Sequence, residues 1–145
     1  LIFSLVYVSH AVAPFDDSAL ETLAARASQK NSRLEITGYL NLNRTRSTFF
    51  QYLEGPQQAV LDLTAEIERD DRHRVANIVQ IGEIESRLFP AWNMCYLDPG
   101  FFQAIRMEDI LETVLLTMSE RTFKREEVVS TVLRIARQIA NRKAS

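Results

Sequence analysis

The chain has 145 residues, 46% of them apolar and 25% charged, which describes one soluble globular domain with room for a terminal appendage. A chain of this length buries roughly two-thirds of its extended surface and needs no disulfides; its single cysteine, Cys95, excludes an intrachain framework and fits a reducing, cytoplasmic setting. With 17 basic and 19 acidic side chains the net charge is -2, so the basic excess of a nucleic-acid module is missing.

Residues 1–9 are nearly all apolar and read as a central strand. They lack a Lys/Arg-rich leader and are too short to span a bilayer, so no membrane role is expected. The chain starts without Met and is expected to begin just inside its natural start. A helix follows, with Ser18 and Glu21 at capping-box spacing and Leu20, Leu23, Ala24 and Ala27 on its apolar face. One i,i+4 step further that face carries Asn31.

Residues 36–43 and 48–53 read as a hairpin linked by Arg44-Thr45-Arg46-Ser47. Pro56 opens a second helix, with Val60, Leu63 and Ile67 as its buried stripe. Strands are expected over 75–81 and 92–97. The order β-α-β-β-α-β-β predicts an α+β fold: a ferredoxin-like, mixed five-stranded sheet with two helices on one face. Beyond residue 98 two further helices are expected. Met107, Ile110, Leu111, Val114, Leu115 and Met118 mark the first, and Val128, Val129, Val132, Leu133, Ala136, Ile139 and Ala140 the second. The chain thus divides into residues 1–98 and a C-terminal helical extension, 99–145, that caps the bare sheet face or transmits a signal.

Three polar side chains stand where an apolar one would be simpler. Tyr7 shares the strand face of Phe3 and Leu5, Gln51 that of Phe49 and Leu53, and Asn31 ends the helical stripe. Each alone reads as a core residue with a local hydrogen-bond partner. Together, on neighbouring elements, they point to a polar ligand in an apolar pocket. Periodicity does not name that ligand.

A resemblance does. Tyr7-Val8-Ser9, Asn31, Ile36-Thr37-Gly38, Phe50-Gln51-Tyr52-Leu53-Glu54-Gly55, Asp71-Arg72-His73 and Arg87-Leu88-Phe89-Pro90-Ala91-Trp92-Asn93-Met94 occur in order and at the approximate spacing of a BLUF domain. The resemblance covers about residues 1–98. It implies a blue-light receptor holding FAD, or FMN, non-covalently between two helices. Tyr7 then matches the photoactive electron and proton donor, and Gln51 the glutamine that rearranges on illumination. Asn31 matches the residue holding the ring's polar edge, and Arg72 and His73 match positions near the ribityl and phosphate part, or else caps of the second helix. Trp92 and Met94 match the strand-five pair that transmits the signal. Cys95, one residue on, is expected on the opposite sheet face and unsuited to an adduct. Lys30 occupies the place where relatives often carry an amide or a basic residue, and Glu66 departs from the pattern, standing where some relatives place a basic residue facing the cofactor.

The resemblance implies a downstream signalling partner and a homo-oligomer. His10 and His73 offer no metal constellation, and the sequence carries neither a Walker-type phosphate loop nor a dinucleotide glycine motif, so no enzyme is expected. The competing readings are a light-insensitive interaction module of the same fold and a small ferredoxin-like hydrolase.

Overall fold

A computed structural model describes residues 2–43, 46–97, 115 and 124–144. Five strands form one sheet: β1 (Ile2–Ala11), β2 (Thr37–Asn43), β3 (Thr48–Gly55), β4 (His73–Ile84) and β5 (Cys95–Leu97), in the order β4-β1-β3-β2-β5. β1 lies antiparallel to both β3 and β4, β2 antiparallel to β3, and β5 parallel to β2. The sheet is therefore mixed, and its first four strands take the ferredoxin-like arrangement. β1 is central, which explains its continuous apolar run: residues 3–9 are all buried.

Helices α1 (Asp17–Arg33) and α2 (Gln57–Glu68) pack on one face. Leu20, Val60 and Leu63 join Phe3, Leu5, Leu40, Phe49 and Leu53 there in one apolar cluster. The α1 cap differs from the expected one. Asp16, not Ser18, is the N-cap, its carboxylate accepting from Ala19 N–H at 2.7 Å. A carboxylate at this position also favours the positive end of the helix dipole, so the aspartate takes the role two residues earlier.

The opposite face meets helix α3 (Arg125–Ala144). Val128, Val132, Ile135, Ala136 and Ile139 are buried at helical spacing against Val6, Val8, Tyr39, Phe50, Tyr52 and Val79. Each buried Val or Ile there contributes about 1.5–3 kcal/mol. Ile135 belongs to this stripe, whereas Leu133 sits half-exposed at its side. The other expected C-terminal helix lies outside the described residues except for Leu115, which is buried in the same cluster and whose carbonyl accepts from Asn77 Nδ2 at 2.6 Å. One C-terminal helix is thus described, not two.

The last strand is shorter than expected. Trp92 and Met94 precede β5 and do not belong to it. The preceding segment meets the edge of β2, where Gly38 N–H donates to Trp92 O at 2.8 Å. A Cβ on Gly38 would lie 1.9 Å from Tyr52 O, so only glycine lets β2 approach β3 there.

Candidate functional site

Between α1 and α2, over the sheet, lies a cavity of about 270 Å³. That is near the lower end of the roughly 300–1,000 Å³ of small-molecule sites. Leu23 and Ala27 line it from α1, Leu63 and Ile67 from α2, and Tyr7, Leu40, Phe49 and Gln51 from the sheet. Its walls are aliphatic because the helical stripes face each other across it. Its buried polar lining comes from the three residues singled out in the sequence, Tyr7, Asn31 and Gln51.

Tyr7 and Gln51 are directly opposite one another in the antiparallel β1–β3 register. Both are buried, and Tyr7 OH donates to Gln51 Oε1. Burial, helped by the nearby negative charge of Asp70, pushes the phenol well above its usual range, so it stays a donor. The other end of the Gln51 amide donates from Nε2 to Met94 Sδ at 3.2 Å. Asn31, also buried, donates from Nδ2 to Asn93 O at 2.9 Å. Asn31 Oδ1 and the second N–H of Gln51 have no partner among the described residues. An acceptor and a donor are left for a flat ligand's polar edge.

Met94 and Trp92 part company at the sheet. Met94 is buried in the cavity-side cluster, while Trp92 packs against the α3-side cluster and stacks on Phe89 at 5.1 Å. Cys95 follows onto the α3 side, as alternation predicted.

Charged residues gather at the solvent end. Lys30 Nζ donates to the Glu66 carboxylate, joining α1 to α2 across the cavity. Arg72 is forked onto Asp70, with Nε at 2.9 and 3.0 Å from its two oxygens. That pairing holds the Asp70 carboxyl down at about 2. His73 both lines the cavity and caps α2: Nε2 donates to Ile67 O at 2.8 Å, and Nδ1 lies 2.7 Å from Ser9 Oγ. Sequence reasoning missed Asp70 as the partner of Arg72, although its place two residues earlier in a polar break was a visible signal.

The family model for sensors of blue light using FAD matches residues 2–95. The chain belongs to the BLUF family. It is 34% identical over 92 residues to a photoactivated adenylate cyclase subunit beta from Euglena longa, a match covering 63% of the chain and 10% of that protein. The chain thus spans about a tenth of the length of the curated relative. Among solved structures, the dark state of the BLUF protein BlrB is similar at 30% identity and TM-score 0.69, over 97% of this chain and 96% of that one. BlrP1 of Klebsiella pneumoniae, solved with FMN and cyclic diGMP, is 36% identical at TM-score 0.61, over 77% of this chain and 30% of that one.

This BLUF chain is a flavin-binding photosensor domain, and the cavity fits the group. Aliphatic walls suit the faces of a planar ring, and the amides of Asn31 and Gln51 suit its carbonyl and N–H edge. Among the described residues no helix is long and apolar enough to cross a membrane, and no three His, Cys, Asp or Glu side chains group to hold a metal.

Proposed function

We propose that this domain registers blue light through the buried line Tyr7–Gln51–Met94 and passes the change to a partner protein. The observation that carries the reading is that one amide touches both ends: Gln51 accepts from Tyr7 inside the cavity and donates to Met94, whose segment leads to the face under α3. When bound, the flavin supplies light absorption and electron-accepting chemistry. Tyr7 offers the electron and a proton held on a rigid strand. Gln51, with donor and acceptor ends, exchanges one bonding pattern for another without creating a charge. Asn31 holds the ring's polar edge, and His73 and Arg72 stand beside the ribityl and phosphate part of FAD or, failing that, FMN.

In this reading residues 1–98 are the sensor and 99–145 the output extension. Trp92 and Met94 change their packing, and α3 carries the effect to a signalling protein or to a second copy of the chain in the cytoplasm. Supporting this is the shared core of α3 and the sheet, which contains Phe89 and touches Trp92.

Protein purified in dim light should carry oxidised, extractable flavin whose visible band shifts reversibly to longer wavelength in blue light. Tyr7→Phe and Gln51→Leu should each bind flavin and lose that photoproduct. A normal reversible photocycle in either variant overturns the role of that residue. Hydrogen exchange over 92–97 and 105–140, compared in darkness and light, tests the output route; equal protection despite a complete photocycle rejects it.

A further inference from the structure

Glu54 is fully buried and contributes nothing to the cavity. It follows Leu53 on β3, so its side chain lies with Phe50 and Tyr52 on the α3 side of the sheet. Its carboxylate accepts four hydrogen bonds. Oε1 takes Phe89 N–H at 2.6 Å and Thr37 Oγ1 at 3.2 Å; Oε2 takes Leu88 N–H at 2.8 Å and Tyr52 OH at 3.2 Å. Thr37 Oγ1 accepts from Arg87 Nη1 at 2.9 Å and keeps its own proton to donate to Glu54. A carboxylate offers about four acceptor sites and no proton, so it matches a set of four donors that no neutral side chain of this shape can match.

Two of those donors are the backbone of Leu88 and Phe89, the start of the segment that ends in Trp92 and Met94. Phe89 O accepts from Trp92 N–H at 3.2 Å, and the Phe89 ring carries Trp92. Arg87 adds a strap to Glu35 O at 2.6 Å. The segment is thus held at its start by Glu54, at its middle by Gly38, and at its end by Asn31 and Gln51.

We propose that Glu54 is a positioning residue for the light response: from the far face of the sheet its four-bonded carboxyl group sets where Trp92 and Met94 rest, and so whether Met94 sulfur meets the Gln51 amide. The inference deepens the reading of Gln51–Met94 as the light-responsive contact and rests on it. Glu54 touches neither the cavity nor Gln51, and its effect runs through the main chain of residues 88–94.

Trp92 is the chain's single tryptophan, so its fluorescence reports this segment alone. In Glu54→Gln the amide turns an N–H toward donors and loses hydrogen bonds to a charged acceptor, so acrylamide quenching of Trp92 in the dark should rise at least about twofold. Flavin should still bind and still give its red-shifted band, but the light-minus-dark change in Trp92 quenching should fall by about half, because the segment is already loose. Glu54→Asp, shorter yet anionic, should recover part of both values, which a role in filling space alone would not give. Thr37→Val, which removes one of the four donors and keeps the charge, should move both values in the same direction by less, and it carries the test with Glu54→Asp should Glu54→Gln not fold. Wild-type quenching and a wild-type light difference in a folded Glu54→Gln protein overturn the proposal. Because dark quenching is also measurable without flavin, a protein that binds none defeats the photosensor reading while Glu54's hold on the segment is still scored.

Discussion

The two faces of this sheet are built from alternate residues of the same strands and have opposite designs. The α3 side is filled: Tyr39 stacks between Phe50 and Tyr52, Phe89 abuts Tyr39 and Tyr52 edge-on, and Ile135 and Val132 close over the cluster. The α1–α2 side leaves a cavity lined by the amides of Asn31 and Gln51 and the phenol of Tyr7. One face is packed for stability, while the other sacrifices packing to keep a space open. The segment 88–94 crosses between them, with Phe89 and Trp92 in one core and Met94 in the other.

If the α3 face supplies stability, truncating it should cost most. Ile135, 2% exposed, should lose about 2–5 kcal/mol on Ile135→Ala, seen as a lower midpoint in urea at unchanged slope. A loss below about 1 kcal/mol, closer to the scale of a surface residue, would show that α3 packs loosely on the sheet. The cavity face should respond in ligand affinity instead. Asn31→Ala removes the tie to Asn93 O and a contact for the ring's edge, so flavin binding by the apoprotein should weaken by about tenfold in fluorescence titration.

Smaller effects belong to the rim. Asp70, paired with Arg72, has its carboxyl lowered to about 2 from 3.8. A group whose folded value is depressed gives stability that is complete above the unfolded value and lost as pH falls through the folded one. The Asp70→Asn variant should therefore approach wild type as pH falls below about 2 and be modestly less stable above about pH 4. Thermal melts across that range check it. Smallest of all, the half-exposed Lys30–Glu66 pair should contribute less than about 1 kcal/mol, and Lys30→Gln should unfold almost as wild type does. A larger loss would mean that the bridge between α1 and α2 braces the cavity.

Much of this was legible before any coordinates. Period-two and helical patterns placed the first four strands, both cavity helices and α3 nearly where they lie, and put Tyr7, Asn31 and Gln51 on inward faces. Boundaries set by competing local contacts were less legible. Asp16 took the cap expected of Ser18 because two nearby residues both have capping side chains, and only the entry path of the chain chooses between them. Strand five shrank to Cys95–Leu97 because its ladder with β2 begins only at Tyr39 opposite Cys95, after the Gly38 N–H to Trp92 O contact.

The sequence by itself determined which residues face inward and which kinds of group they bring, because side-chain direction follows backbone period. It also carried, in its ordered motifs, membership of the BLUF family. Only the tertiary structure decided who meets whom. The β1–β3 register sets Tyr7 opposite Gln51, since a shift of one residue would turn every side chain of one strand to the other face. Glu54, read from its neighbours in sequence, is a charge inside an apolar strand; it becomes intelligible when residues separated by up to 35 positions bring four donors to its carboxylate. Period is a local property of the chain, whereas register and hydrogen-bond closure belong to segments that meet only after folding.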